Sequence, residues 1–193
     1  MDQLQLLEIV AAAKAGDAKG YKALLEEYGP RLFGYFVRST GNIHDAEDLL
    51  GELTFRLVRR LKTYDERGRF DQWLFRIAAN MVRDRIRRIR AAPATLSMSV
   101  EDQSDRPLAD RLAADGPSAD GALLASEAQE RLAVALEQLD ETTRQMVLLR
   151  YLGEVSFKEL AQLFQCPLGT ALARVHRGLK ALRQHMGADD GPQ

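Results

Sequence analysis

The sequence predicts an all-α protein: two small helical domains joined by a flexible acidic linker, the second carrying a helix-turn-helix. Three observations lead there. Apolar residues recur at helical spacing up to Arg90 and again from about Glu127, and no stretch has the alternation or β-branched enrichment of a strand. Between Ala91 and about Ala125 that spacing lapses into Ala, Ser, Asp, Gly and Pro, punctuated by Pro93, Pro107 and Gly116-Pro117. The predicted boundaries are therefore a first domain over 1–90, a linker over 91–125, a second domain over 126–186 and a polar tail over 187–193. No internal repeat relates the two domains.

With 193 residues, 46% of them hydrophobic, the chain can bury helical cores of modest size. No apolar run approaches the roughly 20 residues a bilayer requires, and Met1-Asp2-Gln3-Leu4 lacks the basic start of a signal peptide, so a cytoplasmic location is expected. The single cysteine, Cys166, excludes an internal disulfide, and with His44, His176 and His185 it forms no zinc set. No metal or cofactor is expected. Nor is there a nucleophile with a paired base or a phosphate-binding glycine loop, which argues against an enzyme. The net charge of -1 conceals segregation: 56–90 carries +8 and 131–186 carries +3, whereas 1–55 carries -4 and 91–130 carries -6. Blocks of both signs imply partners of both signs, more than a purely DNA-binding protein needs.

In the first domain, His44 to Phe55 reads as a helix with acidic residues in its first turn, where they suit the helix dipole. Ala46, Leu49, Leu50, Leu53 and Leu57 fall on the inward face. Asp48, Glu52 and Phe55 are left on an outward stripe, which fits either solvated surface or a docking site for a basic protein helix.

From Asp71 to Arg90, Leu74, Ile77, Ala78, Met81, Ile86 and Ile89 form an apolar stripe, and Arg76, Asn80, Arg83, Arg87 and Arg90 recur at four-three spacing on another face. A row of guanidinium groups suits successive phosphates, with affinity falling steeply as salt rises. Tyr64, Arg67, Arg69, Phe70 and Trp73 put aromatic rings beside cations just upstream; unstacked bases gain about 1–3 kcal/mol each on such rings. The alternative is that Phe70 and Trp73 are core and the arginines a solvated face, with Asp84 pairing to Arg88. For Trp73 burial is the favoured role.

In the second domain, Ser156-Phe157-Lys158-Glu159 has the form of a capping box opening a helix that carries Leu160, Ala161 and Phe164. The turn Gln165-Cys166 leads to Pro167, suited to the first position of the next helix. There Ala171, Val175, Gly178, Leu179 and Leu182 face the core, and Thr170, Arg174 and Arg177 share an outward stripe flanked by His176 and Lys180. A helix so presented fits the major groove, its early residues at base edges and its cations at phosphates. The alternative is an ordinary helical hairpin with basic surface residues.

Together these residues resemble a group IV, extracytoplasmic-function sigma factor of bacterial RNA polymerase, in the sigma-70 family, over nearly the whole chain. Asp45-Ala46-Glu47-Asp48-Leu49-Leu50 through Phe55 is similar to the part of region 2 that docks on the clamp helices of the largest polymerase subunit. The resemblance implies docking roles for Asp45, Asp48, Leu49, Glu52 and Phe55. Trp73-Leu74-Phe75-Arg76-Ile77-Ala78-Ala79-Asn80 with Asp84, Arg87 and Arg88 is similar to the part that melts and reads the minus-10 element. Implied contacts there are Tyr64, Arg67, Arg69, Phe70, Trp73, Arg76, Asn80, Arg83, Asp84, Arg87 and Arg88. Leu136 to Leu139, Arg144, Gly169-Thr170, Arg174 and Arg177 are similar to region 4, which implies Thr170, Arg174, His176, Arg177 and Lys180 at the minus-35 element.

The implied partners are core polymerase, through the clamp helices and the flap of the second subunit, promoter DNA as duplex and as melted non-template strand, and an anti-sigma factor. In the family the linker runs toward the RNA path, where the acidic 91–130 segment would mimic a nucleic-acid backbone. The chain departs from the family at Gly51 (usually glutamine), at Leu172 and Ala173 (often lysine and serine) and at Asp140 (frequently proline), though Asp140 suits a helix cap. The rival reading is a stand-alone helix-turn-helix regulator that binds duplex DNA without polymerase.

Overall fold

The computed structural model describes residues 2–65, 68–91 and 119–187. Among them the regular structure is entirely helical, as the periodicity predicts, and it falls into two compact units.

The first unit begins with α1, Gln3–Lys14, which Asp2 and Gln5 open as a capping box. Helix α2, Ala18–Thr40, starts at the Asp17 cap and ends at Gly41, whose φ of +69° is the left-handed conformation that glycine adopts without steric cost. The two helices meet closely at Gly20, where a Cβ would lie 2.5 Å from the backbone nitrogen of Ala13. Helix α3, Ile43–Arg60, is capped by Asn42 and buries Ala46, Leu49, Leu50, Leu53 and Leu57, the inward set read from the sequence. Each buried leucine contributes about 1.5–3 kcal/mol. A 3-10 turn over Leu61–Thr63 leads on to α4, Phe70–Ala91.

Two charged pairs fix α4 against its neighbours. In its first turn Asp71 accepts the Tyr28 hydroxyl at 2.9 Å and the Arg31 guanidinium at 2.9 Å, both from α2. Farther along, Arg85 pairs with Asp45 of α3. The apolar stripe differs from expectation toward its end: Ile86 is half-buried and Ile89 is 56% exposed. Residues 87–91 are exposed, so among the described residues the helix outruns the body it packs on. Phe75, Ala79 and Val82 are buried instead.

The second unit opens with α5, Ala119–Glu137. The stretch read as linker thus overlaps it from residue 119. Gly121 lies inside this helix, where a glycine costs only about 1 kcal/mol, and the neighbouring Ala and Leu are good helix formers. Helix α6, Glu141–Leu152, is capped by Asp140. Helix α7, Phe157–Leu163, is opened by the Ser156/Glu159 capping box. Helix α8, Leu168–His185, has Pro167 at its cap with ψ of 147°, one position earlier than expected. It crosses α6 at Gly178, where a Cβ would sit 2.8 Å from the Thr143 methyl and 2.9 Å from a Val147 methyl. The rest of the linker and the tail beyond Gly187 lie outside the described residues. No helix among the described residues is long and apolar enough to cross a membrane.

Candidate nucleic-acid and protein interfaces

On α4 the arginine face forms as the spacing requires. Arg76, Asn80, Arg87, Arg88 and Arg90 are exposed, and Arg83 is half-buried. Asp84 pairs with Arg87 at 2.9 Å, three residues on, in place of the expected pairing with Arg88.

The aromatic residues separate into two groups. Phe70 is 1% exposed and Tyr64 7%, so neither ring offers a face to a base, contrary to their reading as stacking platforms. They are core because Phe70 lies edge-on between Tyr28 at 5.3 Å and Tyr64 at 5.5 Å, and Lys14 donates to the Tyr64 carbonyl at 2.6 Å. Trp73 is half-buried, packed 4.5 Å from Tyr64 and 5.6 Å from Phe70, and stands between Arg69 and Arg76 in sequence. Arg69 is exposed; Arg67 lies outside the described residues.

Arg31 was not singled out in the sequence, although it belongs to this site's support. Its guanidinium lies 5.6 Å from the Tyr28 ring and 5.5 Å from the Phe75 ring while bonding Asp71. Burial, reinforced by the Asp71 carboxylate, pushes the Tyr28 hydroxyl far above its ordinary range, so it stays protonated as the donor. The only sequence signal was the i, i+3 spacing of Tyr28 and Arg31, which means little until Asp71 is brought against them.

On α3, Asp48, Glu52 and Phe55 face outward, with Phe55 64% exposed. Arg56 bonds Glu52 at 2.6 Å and Arg59 lies 5.7 Å from the Phe55 ring. Two expected docking residues are placed otherwise. Leu49 is 3% exposed because it faces the core, and Asp45 spends its carboxylate on Arg85. Next to the stripe runs an open groove of about 900 Å³ between α2 and α3, lined among others by Leu25, Gly29, Leu50, Gly51 and Val58. Gly51, one of the departures, has no atom within 4 Å of where its Cβ would stand.

On α8, His176, Arg177 and Lys180 are exposed and Thr170 is half-buried. Arg174 turns toward α6, donating to Asp140 at 3.1 Å and to the Thr143 hydroxyl at 3.4 Å, so it is not part of the outward stripe expected for it. Partial burial raises the Asp140 carboxyl, but hydrogen bonds from Thr143 and the Arg174 charge outweigh this and hold it below the usual carboxylate range. Leu179, read as core, is half-buried. Among the described residues no cluster of His, Cys, Asp or Glu could hold a metal ion.

Two bundles, one with an arginine face and one with a helix-turn-helix, match known proteins in the same order. Residues 24–92 match the family model for Sigma-70 region 2, and residues 129–182 that for Sigma-70, region 4. These two regions in one chain define a sigma factor of the sigma-70 family. The ECF RNA polymerase sigma factor SigW of Bacillus subtilis is 27% identical over 184 residues, spanning 95% of this chain and 98% of that protein. The RNA polymerase sigma factor CarQ of Myxococcus xanthus is 32% identical over 180 residues, spanning 89% and 92%.

The chain belongs to the ECF RNA polymerase sigma factors, and its function is that of a sigma factor and not of a stand-alone regulator. The fold is shared with CnrH, solved in complex with the cytosolic domain of CnrY (TM-score 0.57, 21% identity, covering 94% of this chain and 97% of that one). It is shared also with the sigma factor RpoE, solved with the anti-sigma factor NepR from Bartonella quintana (TM-score 0.60, 20% identity, covering 89% and 99%).

Proposed function

We propose that the three exposed surfaces divide the work of promoter recognition. The α3 stripe of Asp48, Glu52 and Phe55 docks on the clamp helices of the largest polymerase subunit, with Asp45 and Leu49 supporting it from beneath. The α4 face of Arg69, Trp73, Arg76, Asn80, Arg83, Arg87 and Arg88 holds the minus-10 element and its melted non-template strand. Helix α8 enters the duplex at the minus-35 element with Thr170, His176, Arg177 and Lys180, while the second unit also meets the polymerase flap.

The observation that carries this reading is the exposed cationic row of α4 on a helix anchored at Asp71 and Arg85. Opening follows from differential affinity: an indole contact available only to an unpaired base favours the melted strand, while the guanidinium groups supply phosphate contacts that both forms share, so bound protein shifts the duplex toward its open form without chemistry of its own. An anti-sigma factor is a fitting partner, since solved proteins sharing this fold include one in complex with such a factor. The apolar groove between α2 and α3 adjoins the docking stripe, where a partner would compete with polymerase. The protein then acts in the cytoplasm, without catalytic residues.

Reconstitution with core polymerase and genome-wide mapping of start sites tests the reading. Asn80→Ala should reduce the reactivity of unpaired thymines in the open complex while leaving closed-complex binding in place. Arg177→Ala should weaken upstream binding. A protein that joins core polymerase yet starts no transcript refutes it.

A further inference from the structure

Helix α8 presents an unusual outward face for a reader of duplex DNA. Leu168 and Leu172, one turn apart, are 49% and 43% exposed, and Ala173 beside them is exposed as well. Besides the half-buried Thr170, the polar side chains on that face are His176, Arg177 and Lys180, a turn or more farther along. Arg174, the cation that could have reached base edges from the first half of the helix, is held at its Nη1 by Asp140 and Thr143 of α6. Asp140 also caps α6 by accepting the Thr143 N–H at 3.1 Å, and Thr143 is 6% exposed.

The early turns of a recognition helix meet base edges, and the later ones meet backbone. Here the early turns carry methyl groups and the later ones carry charge. The one base-edge feature in the major groove that an aliphatic side chain recognises is the 5-methyl group of thymine. A single exposed leucine would need no explanation. Two leucines and an alanine in register, bordered by three basic side chains that complement phosphate, fit a groove of DNA.

We infer that Leu172, flanked by Leu168 and Ala173, reads thymine methyl groups in the upstream promoter element, with Arg177 and Lys180 supplying sequence-independent phosphate contacts. This rests on the reading of α8 as the upstream duplex reader, and names its specificity. Arg174, tied to α6, contributes little to base choice.

Replacing thymine by uracil deletes that methyl and changes nothing else on the base edge, so the test is a scan of thymine-to-uracil substitutions across the upstream element. Promoters taken from the mapped start sites are bound by holoenzyme assembled from core polymerase and the full chain. Uracil at one or two positions should weaken wild-type binding about fourfold, the effect of one methyl-sized group. Leu172→Ala, at an exposed position that leaves the fold intact, should bind thymine and uracil promoters equally.

Leu172→Lys should move the base preference away from thymine, which loss of structure would not do. Wild-type holoenzyme indifferent to uracil at every upstream position overturns the inference, as does Leu172→Ala remaining as sensitive as wild type. In either case initiation by the wild-type holoenzyme still stands for the broader function, whereas absence of any transcript would count against that function itself.

Discussion

Alanine at Gly51 should stabilise the protein and alanine at Gly178 should not, although both glycines lie in the middle of helices. In isolation either change favours the helix by about 1 kcal/mol. At Gly51 no atom lies within 4 Å of the new Cβ, so that gain is realised. At Gly178 the Cβ would stand 2.8 Å from the Thr143 methyl and 2.9 Å from a Val147 methyl, with Leu139 at 3.7 Å. Carbon atoms pack at about 3.5–4.0 Å, so two contacts are short by roughly 0.6 Å or more. Overpacking of that kind costs about 1–3 kcal/mol, which cancels the helical gain or exceeds it by up to about 2 kcal/mol.

Urea unfolding of the full chain distinguishes the cases. The sole tryptophan, Trp73, lies in the first unit, so its fluorescence follows that unit while circular dichroism follows both. Gly51→Ala should raise the fluorescence midpoint by about 0.3–1 M, given a slope of about 1–3 kcal/mol per molar for a small domain. Gly178→Ala should leave that midpoint in place and lower, or at most preserve, the second transition. A second transition raised by the full helical gain would refute the close approach of α8 to α6.

Three further outcomes follow from the charged contacts. Asp71→Ala strands the Tyr28 hydroxyl and the Arg31 guanidinium, and should destabilise the first unit by about 2 kcal/mol in the same fluorescence assay. Asp140 has a lowered pKa in the folded state, so its carboxylate stabilises the fold above the ordinary carboxylate range. That contribution disappears as pH falls through the folded value. The stability difference between wild type and Asp140→Asn, which keeps a capping side chain, should therefore be present at neutral pH and shrink below about pH 4, read by circular dichroism. Arg177→Ala should reduce by about one the slope of log affinity against log salt for holoenzyme on promoter duplex, the signature of one lost phosphate contact.

What could be read directly were features whose causes lie within one or two helical turns. The Ser156/Glu159 box, the Asp140 cap, the inward leucines of α3 and the arginine row of α4 all appear where their spacing places them, because a cap spans three residues and a helical face repeats every three or four. The same local logic failed where a helix outran its packing partners, as at Ile89, or where the stretch read as linker ran past residue 119 into α5.

Tertiary structure decided which members of each face remain available. Asp45 and Arg85 stand 40 positions apart, and Arg174 and Asp140 stand 34 apart; no periodicity links them, yet each pair removes a charge from the surface predicted to use it. Phe70 and Trp73 are three residues apart on one helix, and only the arrival of Tyr28 and Tyr64 buries the first while the second stays half-buried. The amino-acid order by itself determined the two bundles, their caps and their charged faces, since those depend on local backbone geometry. Which side chains on those faces meet a partner or another helix depends on how closely helices approach, and that distance exists only in the folded chain.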